Sequence, residues 1–309
     1  MLMGAFQLLG LVPVGSICAY RLVTLALNAR SWQVLLPPDG RPGFPTLLRL
    51  RWIGESVNTL LPVAQVGGDL ARASLVSSHG VARADAAASM MADLATGLIT
   101  QMLFGLAGAV ALAQLLPPEH VGHRVLVKVV AGLTALTLTV VALSILFHMS
   151  AARLAARFFD GARVHESWGK LAGGLNRLDA AVSALLARER AVAASFVWHL
   201  GGWVSQVGET WLLFKLFGAH VPLLTAFAIE SITSAARGAA FFVPSGVGVQ
   251  EMTLLSMAKL AGIDMELTLA LGIAKRAREL VVGVPGLLAW VVDKRWWRSW
   301  TRRTEQEQR

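Results

Sequence analysis

Charge is what this sequence has least of. Only 15% of its 309 residues are Asp, Glu, Lys or Arg, against about 25% in a soluble domain. A soluble globular chain is therefore not expected, and with 55% hydrophobic residues and a mean hydropathy of +0.58 a polytopic membrane protein is the expected class. A single cysteine, Cys18, excludes an internal disulfide and any multi-cysteine metal site. The N-terminus MLMGAFQLLG carries no basic segment and no small-residue cleavage site, so no signal peptide is expected. The formal charge of +9 does not indicate a nucleic-acid partner, because the basic residues fall between apolar segments, as they do in cytoplasmic loops.

A membrane helix needs about 20 mostly apolar residues. Five segments qualify: 6–27, 85–115, 125–148, 191–217 and 266–292. Two more apolar regions, 44–79 and 221–261, are interrupted in the middle by proline and glycine. Segment 151–190 carries seven Lys or Arg residues and the tail 294–309 carries six, so both are expected in the cytoplasm. Arg30 and Arg41, with Arg49 and Arg51 just beyond, put the first turn there too. Residues 117–122 and 218–221 carry no Lys or Arg and are expected outside. An even number of crossings must then separate Arg190 from the tail. The expected fold is all-α, a helix bundle with two inverted re-entrant hairpins at 44–79 and 221–261. A full span paired with a half span is the competing arrangement. Leu171, Leu175, Leu178, Val182 and Leu185 form a helical stripe, which makes 151–190 either an interfacial amphipathic helix or a helix packed on the cytoplasmic end of the bundle. Everything up to 293 is one membrane domain.

The two interrupted regions repeat each other. Glu55-Ser56-Val57-Asn58-Thr59 in the first matches Glu230-Ser231-Ile232-Thr233-Ser234 in the second. Each region then has a proline, two glycines and an acid. Pro62 stands seven positions before Asp69, and Pro244 seven before Glu251. Irregular backbone at membrane depth needs protein or a water-filled cavity around it. Pro62, Gly67 and Gly68, like Pro244, Gly246 and Gly248, are expected to break one half-helix and start another. Asp69, and Gln250 with Glu251, can then take the free N–H groups of the new helix. Paired broken helices at a central site are a transporter signature.

Ionisable residues in a span cost about 2.5–3.5 kcal/mol each. Lys275, Arg276, Arg278 and Glu279 stand near the middle of one span and together cost on the order of 10 kcal/mol unless partnered or wetted. Lys275 and Glu279, Asp69 and Arg72, and Glu230 and Arg237 each share a helix face. Glu55, Asp69, Arg72, Glu230, Arg237, Glu251 and Arg278 are the candidate lipid-cavity residues, with Arg72, Arg237 and Arg278 expected to meet an anionic headgroup. Asp93 and Glu209, inside two other spans, are either helix-fastening acids or carriers of a coupling proton. Gly246-Val247-Gly248 is not a nucleotide loop, since no Gly-Lys-Ser/Thr follows. Glu119, His120 and His123 belong to a solvated turn rather than a metal site. No catalytic residue, metal site or cofactor is expected.

The stretches RWIGESVNTLLPVAQVGGDLARASLV (51–76) and FFVPSGVGVQEMTLL (241–255) resemble a known family. It is the flippase-like transmembrane family that includes the membrane domain of lysylphosphatidylglycerol synthases, the multiple peptide resistance factors. The hopanoid-biosynthesis-associated branch is the one the chain resembles in particular. The resemblance implies a multi-pass protein of the bacterial inner membrane, with its C-terminus in the cytoplasm. It would move a membrane lipid, a hopanoid or phospholipid, between leaflets or toward the outer membrane, with lipid-biosynthesis enzymes as further partners. The synthases carry a soluble aminoacyl-transferase domain after the membrane domain. With the chain ending at Arg309, that activity is not expected, and the protein is expected not to be an enzyme. Family members also have one more N-terminal span than 6–27 provides. An intramembrane headgroup transferase, whose buried acids serve as general bases, and a non-transporting accessory of lipid biosynthesis are the alternatives.

Overall fold

The computed structural model describes the backbone over residues 10–61, 67–115, 166–240, 243 and 246–307, and side chains over 10–61, 67–115, 174, 177–240, 243 and 246–293. Pro62, Pro244, the expected span 125–148 and the turn with Glu119, His120 and His123 lie outside the described residues. Among the described residues the regular structure is helical throughout. The helices are α1 (Leu11–Leu35), α2 (Phe44–Leu60), α3 (Gly67–Ser77), α4 (Arg83–Leu115), α5 (Glu166–Leu186), α6 (Glu189–Leu216), α7 (Leu223–Ala239), α8 (Val249–Leu260) and α9 (Met265–Glu307). By length and composition, α1 and α4 can cross a membrane.

Helix ends follow the local chemistry. Pro37-Pro38 lets α1 run on past the expected end at 27, because no glycine or proline interrupts Asn28–Leu36. Ser31 bonds Ser195 (2.9 Å) and Trp32 donates to Ser89 (3.2 Å) in that added stretch. Pro45 opens α2 and Pro222 precedes α7. Gly248, at φ 84°, begins α8, and its N–H donates to Glu251 at 2.8 Å. Asp264 accepts the N–H of Glu266 at 2.9 Å to start α9. That helix continues through the expected boundary at 293 with Pro285 inside it. Proline removes one donor from the turn, and Trp52 of α2 donates to the nearby Val282 carbonyl at 2.8 Å.

Two four-helix units repeat one packing pattern. Exchanging α1, α2, α3, α4 with α6, α7, α8, α9 leaves the packing pattern unchanged. Thus α4 packs on α7 as α9 packs on α2, α4 on α6 as α9 on α1, and α3 on α4 as α8 on α9. The helices α1 and α6 cross antiparallel. Tyr20 lies against Gly208, Thr24 Oγ1 against Ser205 Oγ (2.8 Å), and Asn28 against Gly202. The first hairpin joins helices of 17 and 11 residues, the second helices of 17 and 12. α5 packs on α4 and α6, with Leu178 and Val182 against Leu35, Ala88 and Leu185.

The repeated Glu-Ser dipeptide has a structural cause. Ser56 and Ser231 each donate back to the carbonyl four residues earlier, Trp52 and Phe227. Each also fills the space left by a glycine on a facing helix. Ser56 lies against Gly286 of α9, and Ser231 against Gly108 of α4. A second glycine three residues earlier, Gly283 or Gly105, receives Leu60 or Ala235. Small residues of this kind let membrane helices approach closely. Hairpin α2/α3 closes on the same principle. A Cβ on Gly68 would run into the Gly54 carbonyl and stand 2.8 Å from Asn58 Oδ1. Gly68→Val is therefore expected to destabilise the protein by about 1–3 kcal/mol, seen as a lower unfolding temperature in detergent. An unchanged temperature would mean that the hairpin does not need this contact.

The bundle is apolar outside and polar within. Leu22, Val197, Val204 and Leu288 are more than half exposed, whereas Arg72, Asp93, Glu209, Glu230 and Lys275 are buried. A water-soluble fold does the opposite; this distribution suits a lipid solvent.

Candidate functional site

α1, α2, α6, α7 and α9 line a half-open cavity of about 60 Å³ where the two units meet. Its charged lining is Arg21 from α1, Glu55 from α2, Arg237 from α7, and Arg278 with Glu279 from α9, beside Gln206 of α6. Trp52, Leu25 and Val282 supply apolar wall. A water needs about 10–15 Å³ in this measure, so the cavity holds a handful of waters and no whole lipid.

Two ionic networks hold this lining. In the first, Glu55 accepts from Arg21 (2.6 Å), Arg51 (3.1 Å) and Asn28 (3.2 Å). Arg51 also reaches Asp93 at 2.6 Å. Asp93 is the hub: its other contacts are Arg72 (2.6 Å), His199 Nε2 (2.9 Å) and Ser31 (3.3 Å). Arg72, 1% exposed, bonds Asp69 as well and lies over the Trp32 ring at 4.6 Å. In the second network, Lys275 pairs with Glu230 and Arg278 with Glu209. Thr210 donates to Glu230 at 2.5 Å. Glu279 takes Arg237 (3.0 Å) and Arg276 (2.6 Å), and Arg276 also binds Glu251 (2.6 Å). Seven cations here face seven carboxylates. With His199 neutral the assembly has no net charge, so it presents no surplus of positive charge to an anion.

The candidates thus separate by position. Glu55, Arg237 and Arg278 line the cavity. Asp69, Arg72 and Asp93 stand behind it in the first network, and Glu209, Glu230 and Glu251 in the second. Arg72 is therefore not part of one cationic cluster with Arg237 and Arg278. Asp69 pairs with Arg72 along α3, but the other two same-face pairs are not made. Lys275 reaches Glu230 instead of Glu279, and Arg237 reaches Glu279 instead of Glu230. Nor does Asp69 cap α3. Asn58 Oδ1 accepts the Gly68 N–H at 2.7 Å, which leaves the Asp69 carboxylate to Arg72 and to Asn58 Nδ2 (3.1 Å). Gly67, Gly68, Gly246 and Gly248 sit at the hairpin turns as backbone elements; Gly246 (φ 60°) and Gly248 need left-handed conformations.

Sequence reasoning missed Arg21, Arg51, His199 and Gln206. Arg21 lies near the end of a span placed at 6–27 but in the middle of the helix Leu11–Leu35. Arg51 reads as a loop charge, yet only Arg49 behaves as one, with half its side chain exposed beside Asp293. The rule that intramembrane ionisable residues are functional candidates finds His199, inside the span 191–217, and Arg21, which the structure moves from the end of a span to its middle.

A family model described as the lysylphosphatidylglycerol synthase TM region matches residues 5–286. No curated protein and no solved structure matches the chain significantly. A match over most of the chain accords with the polar-cored, apolar-surfaced bundle, and it makes this a membrane protein related to lipid metabolism or transport: the chain belongs to the lysylphosphatidylglycerol synthase transmembrane-region family.

Proposed function

We propose that the protein is a lipid transporter of the bacterial inner membrane, a flippase that carries a polar headgroup through the cavity while the tails stay in the bilayer. The observation that carries this reading is the charged cavity at the junction of two antiparallel-related units. The hairpin helices support it. At 1.5 Å per residue, α2 and α7 are about 26 Å long and α3 and α8 about 17–18 Å, all short of the roughly 30 Å hydrocarbon core. Both hairpins then enter the membrane and turn back within it, from opposite sides, with the C-terminus in the cytoplasm. The present cavity admits water only, so loading requires the units to part. The seven-to-seven balance of the networks behind its wall favours a headgroup without large net charge. A zwitterionic phospholipid meets that condition, and so does a hopanoid, whose headgroup need not be anionic. No catalytic step and no cofactor enters this reading, and lipid-biosynthesis enzymes would supply the cargo.

Purified protein in vesicles of phosphatidylethanolamine and phosphatidylglycerol tests this. Wild type is expected to expose a tail-labelled fluorescent lipid to an external quencher. Arg237→Gln removes a charged group of the cavity wall and is expected to slow exposure about ten-fold or more, while costing the fold about 1.5–3 kcal/mol, so the rate is read on protein shown to be folded. A chemically altered lipid would instead support the transferase reading. Intact lipid that does not move would support the accessory role.

A further inference from the structure

We propose that His199 is a proton-binding site coupled to the cavity through Asp93, Arg51 and Glu55, which gives the transport reading above, on which the coupling rests, a chemical energy source. His199 is 5% exposed in the middle of α6. Its Nε2 lies 2.9 Å from Asp93 Oδ1. A carboxylate only accepts, so Nε2 carries the hydrogen of the neutral ring. Nδ1 then holds the free lone pair, and no described residue donates to it. An incoming proton therefore has one place to bind.

The charge balance makes that event consequential. With His199 neutral, Arg21, Arg51 and Arg72 balance Glu55, Asp69 and Asp93. Protonated His199 is a third cation on Asp93, beside Arg51 and Arg72. Arg51 and Arg72 each have a second acid within reach: Asp69 holds Arg72 behind the cavity, and Glu55 takes Arg51 on the cavity side. Weakened on Asp93, Arg51 shifts toward Glu55 and competes there with Arg21. The chain of contacts from proton to cavity wall runs 2.9, 2.6 and 3.1 Å.

The other elements around α6 place no further charge at this ring. α1 faces it with Ser31, and Arg21 reaches the network only through Glu55. α7 and α9 meet α6 a few turns away, where Glu230 bonds Thr210 and Arg278 bonds Glu209. α5 approaches with apolar Val182 beside Val192. Asp69 stands behind Arg72.

Nitrogen NMR of histidine-labelled protein in phosphatidylethanolamine–phosphatidylglycerol nanodiscs reads the site directly. One signal, absent from His199→Gln, is expected to pass from the neutral Nε2–H form to the doubly protonated form as the pH is lowered across the range in which the protein stays folded. Should the Gln variant fail to fold, Gly97→Ala identifies the same signal by its displacement, since the new Cβ would stand 3.2 Å from His199 Cε1. A signal fixed in one form throughout overturns the proposal. In vesicles, an acid-outside pH gradient is expected to accelerate movement of tail-labelled phosphatidylethanolamine by wild type, and His199→Gln to keep basal movement but lose the acceleration entirely. A variant that still responds fully to the gradient overturns the coupling. Vesicles in which wild type moves no lipid count against the transport reading, while the NMR titration still decides the proton site.

Discussion

Asp93→Leu is expected to leave almost no folded protein. The substitution leaves Arg51 with Glu55 alone and Arg72 with Asp69 alone, and removes the acceptor of His199 and Ser31. Removing one partner of a buried ion pair costs about 3–5 kcal/mol, and here two cations each lose one of their two carboxylates at once. Native proteins are stable by only about 5–15 kcal/mol. Arg72 is the worse placed of the two, because it is 1% exposed and its Nη1 already has no hydrogen-bond partner. Asp93→Asn keeps an acceptor while losing the charge, and should fall between. Fluorescence-detected size-exclusion chromatography of the three proteins gives the order directly. A monodisperse Leu variant with wild-type melting would show that Asp93 is not the hub of the first network.

Lys275→Met is expected to destabilise by about 3–5 kcal/mol, since Glu230, 4% exposed, would keep only Thr210 (2.5 Å) and Ser234 (3.4 Å). The informative variant is the double one. Lys275→Met with Glu230→Gln removes both charges, retains a group that hydrogen-bonds to Thr210, and should recover most of the loss. Neutralising both members of a buried pair is often close to neutral, although breaking it is not. The coupling between the two sites, read from melting temperatures of the double-mutant cycle, should lie at the upper end of the roughly 0.5–3 kcal/mol range for residues in contact. Additive losses would mean that the pair is not made in the folded protein.

Both experiments concern contacts that the sequence does not display. A single sequence shows neighbours three and four residues apart on a helix, and so Asp69–Arg72 is legible. It does not show that Lys275 crosses to α7 or that Arg237 crosses to α9, because the docking of separate helices decides this. The repeat was legible for a physical reason. Ser56 and Ser231 do the same packing against a glycine of a facing helix, and the same demand selects the same residue twice. Asp69 and Glu251 occupy the third position of α3 and α8, as the equal proline-to-acid spacing implies. Their partners nevertheless differ: Asp69 is held by Arg72 within α3, whereas Glu251 is held by Arg276 from α9 and by its own cap. The glycine pairs Gly105/Gly108 and Gly283/Gly286 drew no notice, since an isolated glycine in an apolar helix has no meaning until its facing helix is known.

The seating of the hairpins has a mechanical consequence. Each 17-residue hairpin helix rests on the last helix of the opposite unit, α2 on α9 and α7 on α4, along seams where glycine meets serine. The units are interlocked, like two hands each gripping the other wrist. If the units part as the transport proposal requires, any turn of one against the other would slide both seams together. A substitution that jams one seam would on that reading hold both sides of the molecule.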